Sequence, residues 1–258
     1  MPMRFATWNV NSLKVRLPQV LEWLAANPDL TALGLQETKQ EDVNFPQAEI
    51  EAAGFHVAFA GQKTYNGVAI ISREPLADVQ INLPNFDDPQ KRLIAATISG
   101  VRFISAYIPN GQALDSEKYP YKLAWLEALH AYIADELTRH PQLILAGDYN
   151  IAPEDRDVHD ITKWEGGVLV SPPEREAFQG LIGLGLTDAF RQFEHPEKSF
   201  SWWDYRGFSF KKNAGLRIDH LLITAPLVAR LTASDIDREP RKVERPSDHT
   251  PVWAAFSS

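Results

Sequence analysis

The sequence contains no cysteine. That absence excludes a disulfide framework and any thiolate metal centre, zinc fingers included, and removes the usual mark of an extracellular scaffold. No apolar run approaches the roughly 20 residues a membrane helix needs, so no membrane partner is expected. The chain enters an alternating apolar pattern at Met3, Phe5 and Trp8 without the basic region, apolar stretch and cleavage site that direct export. These absences lead us to expect a cytoplasmic protein. Basic residues are in deficit, 26 Lys and Arg against 34 Asp and Glu, for a formal charge of −8. This argues against a general polyanion binder, because non-specific nucleic-acid affinity comes from cations that neutralise phosphates. Low-complexity linkers and repeats of fixed period are missing too.

What is present is ordinary globular material: of 258 residues, 44% are hydrophobic and 23% charged, enough to bury a sizeable core. Apolar periodicity predicts strands over 3–8 and 31–36, and a helix over 16–26 on Leu17, Val20, Leu21 and Leu24, with Pro18 tolerable only in its first turn. A short helix near 46–53 precedes apolar runs at 55–60, 67–72, 79–83, 92–98 and 102–108, separated by Gly, Pro, Asn and Asp. Tyr121, Trp125, Leu129, Tyr132, Ile133 and Leu137 give a helix over 117–138, leading into a buried-type strand at 142–147. A helix near 174–184 and strands near 199–203, 216–223 and 250–256 complete the pattern. Strands and helices mixed from end to end favour one α/β domain over 1–258, with two packed sheets covered by helices.

These strands repeatedly end in a carboxylate, an amide or an imidazole, and sheet ends are where α/β enzymes build sites. Asn9, Glu37, Tyr107, Asp148 with Asn150, Asp219, and Asp248 with His249 all fall at such positions. Each has an alternative taken singly. Asp148 and Asn150 suit an Asx-turn or a helix cap, Asp248 a turn after Pro246, Asn9 a loop, Glu37 a solvated strand end and His249 a structural role. As a set they suit a hard cation such as Mg²⁺, which takes oxygen ligands and several waters; Asn9, Glu37 and Asp248 fit that need. Phosphodiester hydrolysis also requires a group to orient and deprotonate water, donors for the non-bridging oxygens and charge at the leaving oxygen. Asp148, Asn150, His249 and Tyr107 can fill those roles. Despite the negative total, Lys63, Arg92, Lys118, Lys122, Arg206, Lys211, Lys212 and Arg217 are candidates for a basic face.

Six strings run in order along nearly the whole chain: Thr7-Trp8-Asn9-Val10-Asn11-Ser12, Leu35-Gln36-Glu37-Thr38-Lys39, Tyr65-Asn66-Gly67-Val68-Ala69, Gly147-Asp148-Tyr149-Asn150-Ile151-Ala152-Pro153, Gly215-Leu216-Arg217-Ile218-Asp219 and Pro246-Ser247-Asp248-His249-Thr250-Pro251-Val252. Together they resemble the signature of exonuclease III within the endonuclease/exonuclease/phosphatase superfamily. The resemblance implies a four-layered α/β sandwich of two packed mixed sheets flanked by helices, with the site at one edge where the sheets meet.

Carried over by motif, Glu37 would be the main metal ligand with Asn9 and Asp248 beside it, and Asp148, Asn150 and His249 also belong to the metal-site residues. Asp148 would activate the attacking water, Asn150 and Tyr107 would contact the scissile phosphate, and Asp219 would hold a charged His249 against the transition state. Trp202, Leu216 and Ile218 would shape a pocket for a flipped abasic sugar, while Arg92 and Arg206 would help bind substrate. The implied cofactor is Mg²⁺, or Mn²⁺. The implied substrate is duplex DNA with abasic sites, nicks or 3′ ends, cut by a monomeric DNA repair nuclease. The loop 154–172 is the stretch least like the family. A phosphoinositide or lipid phosphodiesterase of the same superfamily is the second reading; a catalytically silent DNA-binding module would need a broken site, and no nominated position is lost.

Overall fold

The computed structural model describes residues 2–258. In chain order its main elements are β1 (Met3–Asn9), α1 (Leu13–Ala26), β2 (Ala32–Gln36), α2 (Gln47–Ala52), β3 (His56–Ala60), β4 (Val68–Ser72), β5 (Ala77–Ile81), β6 (Leu93–Ile98), β7 (Val101–Tyr107), α3 (Lys118–Arg139), β8 (Leu143–Asp148), α4 (Pro172–Gly183), β9 (Leu186–Asp188), β10 (Asp219–Thr224), α5 (Ala225–Val228), β11 (Leu231–Ile236) and β12 (Val252–Phe256). Among the described residues the strands form two six-stranded sheets, β11-β12-β1-β2-β4-β3 and β5-β6-β7-β8-β10-β9.

Period-two alternation decides the layering. Phe5, Ile70, Val252 and Phe256 of the first sheet meet Ile94, Phe103, Ile144 and Leu221 of the second in a core between the sheets. The opposite faces are apolar as well and are covered by helices. Leu13, Val20, Trp23 and Leu24 of α1 pack on Trp8, Leu33 and Leu35. Trp125, Leu129, Tyr132 and Ile133 of α3, with Phe178 of α4, pack on Ile104, Leu143, Leu145 and Leu222. The result is the expected four-layered α/β sandwich.

Each sheet carries one parallel pair at its centre, β1 with β2 and β7 with β8, and each pair is joined by a crossover helix, α1 or α3. This arrangement positions the site. Asn9, Gln36, Tyr107 and Asp148 are the last residues of the four parallel strands. Antiparallel neighbours start at the same edge: Asp219 opens β10 opposite Asp148, and residues 248–249 lie just before β12, whose Val252 pairs with Thr7. Beneath this edge the Gln36 amide donates to Thr7 Oγ1 and to Ser105 Oγ, each 2.9 Å away, bridging the sheets.

Three local expectations change. Helix α1 begins at Leu13, so Pro18 lies beyond its first turn. The early start is tethered by Ser12 N–H and Leu13 N–H, which donate to the carbonyls of Glu37 and Thr38, and Pro18, lacking an N–H, leaves the Lys14 carbonyl without its helical donor. The segment 199–203 forms no strand; Trp202 makes only isolated bridges to Leu216 and His249. Strands β9 and β11 fall where no strand was expected.

A buried polar cluster ties β10 to the loop after β8. Arg217 Nε donates to Asp157 Oδ1 (2.7 Å) and its Nη2 to Asp188 Oδ2 (2.8 Å), while Nη1 lies 3.1 Å from His220 Nδ1. His220 Nε2 faces the Ile151 carbonyl at 2.9 Å, so the ring must be neutral, accepting at Nδ1 and donating at Nε2. Burial, reinforced by the Arg217 charge, pulls its pKa from 6.5 down to about 4. A folded-state pKa below the unfolded one means that the unfolded chain takes up the proton first. Stability should therefore fall by roughly 3 kcal/mol as pH drops from 6.5 to 4. Urea melts across that window should show the slope in the parent protein and a flatter one in His220→Gln; equal slopes would refute the assignment.

Candidate active site

Six elements meet at the shared edge, and their backbone there is unusual. Asn11, Ser12, Glu37, Lys39, Asn66 and Asn150 all have positive φ, between 43° and 92°. Left-handed backbone at non-glycine residues costs energy, on the order of 1 kcal/mol or more each, and it clusters where a chain must turn a side chain toward a site. Two glycines fit the same tight packing. A Cβ on Gly147 would lie 1.9 Å from the Ala106 carbonyl oxygen, and one on Gly67 would lie 2.1 Å from Thr38 Oγ1.

Asn9 stands between two carboxylates. Its amide nitrogen donates to Glu37 Oε1 and Asp148 Oδ2, both at 2.9 Å, and its own oxygen accepts from Asn11 N–H. Asp148 Oδ1 accepts from Asn150 N–H at 2.9 Å, so the Asx-turn foreseen as an alternative exists and coexists with a site position. The Asn150 side chain donates to the Ile108 carbonyl and accepts from Asn110 Nδ2. Opposite, His249 Nδ1–H donates to Asp219 Oδ2 at 2.9 Å, and His249 Nε2 lies 3.6 Å from Asp148 Oδ2. Ser201 Oγ accepts from the backbone N–H of Ile218 and of Asp219, fixing the start of β10.

The electrostatics follow from burial. Asp148 is 1% exposed, and burial raises its pKa to about 7, with the His249 charge opposing. Burial alone would lower His249, but the carboxylates of Asp219 and Asp148 outweigh it and hold the imidazole up at about 10. Tyr107 is pushed well above its ordinary range by burial and by the nearby Glu37 and Asp148 charges, so it remains a neutral phenol with a proton to donate.

Ligand atoms of Glu37, Asp148 and His249 lie within 4.8 Å of one another. The oxygen donors suit a hard divalent cation, and the site already draws positive charge: Lys39 Nζ sits 2.9 Å from Glu37 Oε2 and also donates to Asn11 Oδ1. Other expected metal residues are close but engaged. Asn9 presents its NH₂ rather than its oxygen, Asn150 is bonded to Asn110 and Ile108, and Asp248 accepts from Trp202 Nε1 and Asn11 Nδ2, each at 3.0 Å. The two roles expected of His249 exclude each other, because an imidazolium has no lone pair for a metal, and the Asp219 pairing favours the charged form.

The nominated substrate residues divide. Arg206 is exposed and paired with Asp204. Arg92 is half-buried, bonded to Gln90 Oε1 and the Tyr107 carbonyl, with its guanidinium 4.9 Å from the Tyr107 ring centroid. It lines a cavity of about 610 Å³ together with Tyr65, Tyr107, Asn110, Gln112 and Lys118. Leu216 and Ile218 do not offer an open pocket wall: both are buried with Val158, Leu169 and Val170 of the divergent loop, and the Trp164 ring stands edge-on to Trp202. Two residues considered for a basic face also move inside. Lys122 is buried against Glu174 and Arg217 against Asp157 and Asp188, because each meets a carboxylate more than 25 residues away in sequence.

Sequence reasoning missed Lys39, Asn11 and Asn110, which bond directly to nominated residues. The only available signals were Lys39 and Asn11 within quoted strings and the Pro109-Asn110-Gly111 turn after β7.

A model of the Endonuclease/Exonuclease/phosphatase family matches residues 6–249. Exodeoxyribonuclease III of Haemophilus influenzae is 34% identical, over 98% of this chain and 100% of that protein. Among solved structures, the 3′ phosphatase NExo from Neisseria, bound to product DNA hairpin, superposes with a TM-score of 0.97 at 50% identity, covering 99% of this chain and 100% of that one. An AP endonuclease from Archaeoglobus fulgidus superposes with a TM-score of 0.95 at 39% identity, with the same coverage.

Proposed function

This chain belongs to the endonuclease/exonuclease/phosphatase family and, within it, to the exonuclease III and AP endonuclease group; from that premise we propose a Mg²⁺-dependent DNA repair nuclease that cleaves 5′ to abasic sites and clears 3′ nucleotides or 3′ blocking groups from duplex DNA. The observation that carries this reading is the meeting of Glu37, Asp148 and the Asp219–His249 pair at one sheet edge. The whole chain, 1–258, acts as one catalytic unit and as a monomer in the cytoplasm. Among the described residues, no helix is long and apolar enough to cross a membrane. A lipid phosphodiesterase is not favoured, since the curated relatives are exodeoxyribonucleases and a DNA repair nuclease.

In this reading Asp148, with a pKa near neutrality, orients a water and takes its proton as the water oxygen bonds to phosphorus. The bond from phosphorus to the 3′ oxygen breaks, and that oxygen takes a proton from solvent, leaving a 3′ hydroxyl and a 5′ phosphate. Tyr107, a neutral donor, and His249, a charged one, hold the non-bridging oxygens as negative charge grows on them. A divalent ion held by Glu37, with Asn9, Asp248 and Asp148 around it, would supply Lewis-acid stabilisation of the phosphate and the leaving oxygen. The cavity beside Tyr107 offers exposed Tyr65 for base stacking and Lys118 for phosphates, and Lys63, Phe208, Lys211 and Lys212 are further exposed groups of the same kinds. With Leu216 and Ile218 covered, 3′ ends are the substrate this shape supports best.

The test incubates the protein with three labelled duplexes carrying an internal abasic analogue, a recessed 3′ hydroxyl or a 3′ phosphate, with Mg²⁺ or with excess chelator. Chelator-sensitive release from the 3′ ends, with slower abasic cleavage, is expected; no reaction on any duplex would overturn the reading. Glu37→Gln should raise the Mg²⁺ concentration for half-maximal rate at least tenfold, on the order of 1.4 kcal/mol of ion binding. An unchanged Mg²⁺ titration would remove Glu37 from the ion site.

A further inference from the structure

Helix α3 buries an ammonium group directly behind the site. Lys122 is 0% exposed, and its three donors are all used: Nζ pairs with Glu174 Oε1 at 2.5 Å and donates to the carbonyls of Asn150 at 2.6 Å and Asn110 at 3.2 Å. Glu174, also 0% exposed, is the third residue of α4 and closes a capping box with Ser171. Its Oε1 also accepts from Leu169 N–H, and its Oε2 accepts from Ser171 N–H at 3.0 Å and Ser171 Oγ at 2.6 Å. One ion pair thus fastens three separate pieces of chain: the turn after β7 carrying Asn110, the turn after β8 carrying Asn150, and the end of the loop 154–172.

A buried ion pair is a weak source of stability, because desolvating both charges offsets their attraction, and apolar side chains of similar size pack as well. What apolar side chains cannot do is hold two main-chain carbonyls from different loops at one point. Those carbonyls belong to the residues that shape the site. Asn110 Nδ2 donates to Asn150 Oδ1, and Asn150 N–H donates to Asp148 Oδ1, so a continuous run of hydrogen bonds leads from Lys122 Nζ to the Asp148 carboxylate.

We propose that Lys122 and Glu174 are positioning residues for the hydrolytic reaction, holding Asn110, Asn150 and, through Asn150, Asp148 at the geometry the reacting phosphate needs. The inference rests on the nuclease reading of the site. The pair touches neither substrate nor ion; it acts by fixing the turns that do.

The experiment uses the full chain and the 3′-recessed duplex. Combining Lys122→Met with Glu174→Gln removes both charges together, which avoids stranding one of them, and the glutamine side chain keeps one acceptor oxygen for Ser171, its amide nitrogen replacing the oxygen that accepts from Leu169 N–H. Expected are a folded protein with unchanged KM and unchanged Mg²⁺ response, and kcat reduced about ten- to hundredfold, the cost of a misplacement near 1 Å. A second arm places the double variant in an Asp148→Asn background. Because the pair works through Asp148, kcat should fall there by less than about threefold, a non-additivity that general loosening would not produce.

Unchanged kcat in the folded double variant, or equal losses in both backgrounds, would overturn the positioning role alone. An inactive parent protein would overturn the nuclease reading and this inference with it. If the double variant does not fold, Glu174→Asp, which keeps both charges but draws the carboxylate back from Lys122, carries the same expected direction of loss in kcat at constant KM, and normal turnover in it would refute the proposal.

Discussion

Asp148→Asn should lower kcat on a 3′-recessed duplex by about a thousandfold while leaving duplex affinity within a few-fold. The side chains are nearly isosteric, so the loss reports the carboxylate's charge and its capacity to take a proton, and an unchanged Mg²⁺ titration in the variant assigns it to the proton. The surroundings of Asp148 suit a proton acceptor, since one oxygen is fixed by Asn150 N–H and the other is flanked by Asn9 and the His249 ring. Its raised pKa, about 7, makes it a far better base than an exposed aspartate and still leaves it half ionised near neutral pH. The linkage sign gives a second readout. A carboxyl raised on folding is charged at a cost once pH exceeds its folded pKa, so above pH 7 the asparagine variant should melt no lower than the parent. Near-normal turnover would remove Asp148 from the chemistry; lost DNA binding would make it a substrate ligand instead.

Asp219→Asn should cost about a hundredfold in kcat and move the alkaline limb of the rate profile toward acid. Asparagine can still accept the Nδ1–H bond, so His249 stays in place while its charged partner is gone. In the parent the imidazole is protonated up to about pH 10, and this raised pKa stabilises the fold below pH 6.5 and ceases to do so as pH climbs through 10. Without Asp219 the ring sheds its proton at lower pH, and the charge facing the transition state goes with it. Proton NMR of the His249 ring through a pH titration gives the pKa directly. An alkaline limb at the same pH in both proteins would show that His249 acts without its charge.

Much of this was legible in the chain itself. Apolar periodicity located β1, β2, β4, β7, β8 and α3 to within about two residues, because their faces are buried on both sides or on one long stripe. Strand β11 escaped because Thr232, Ala233, Ser234 and Asp235 read as loop; it is an edge strand whose pairing with β12 comes from main-chain groups. The aromatic run at 200–203 misled in the other direction, since its backbone bridges Leu216 and His249 at single points. Site residues were readable as polar groups at strand ends. Their hydrogen-bond state was not: sequence cannot tell that Asn9 offers its NH₂, or that Asp248 spends both oxygens on Trp202 and Asn11. Nor can it separate Lys122 and Arg217 from the surface cations, because their acidic partners arrive by tertiary folding from Glu174, Asp157 and Asp188.

Strand β1 takes its antiparallel partner from the far end of the chain, Met3 opposite Phe256. During synthesis at about 5–20 residues per second, β1 therefore waits roughly 12–50 s with one edge open. An open apolar edge over that interval is a template for wrong pairing. The same delay governs when chemistry begins. Asn9 is made about 240 residues before Asp248 and His249, so a chain that stops between them has no means of cutting DNA. Activity begins in one step, after β12 emerges and closes against β1.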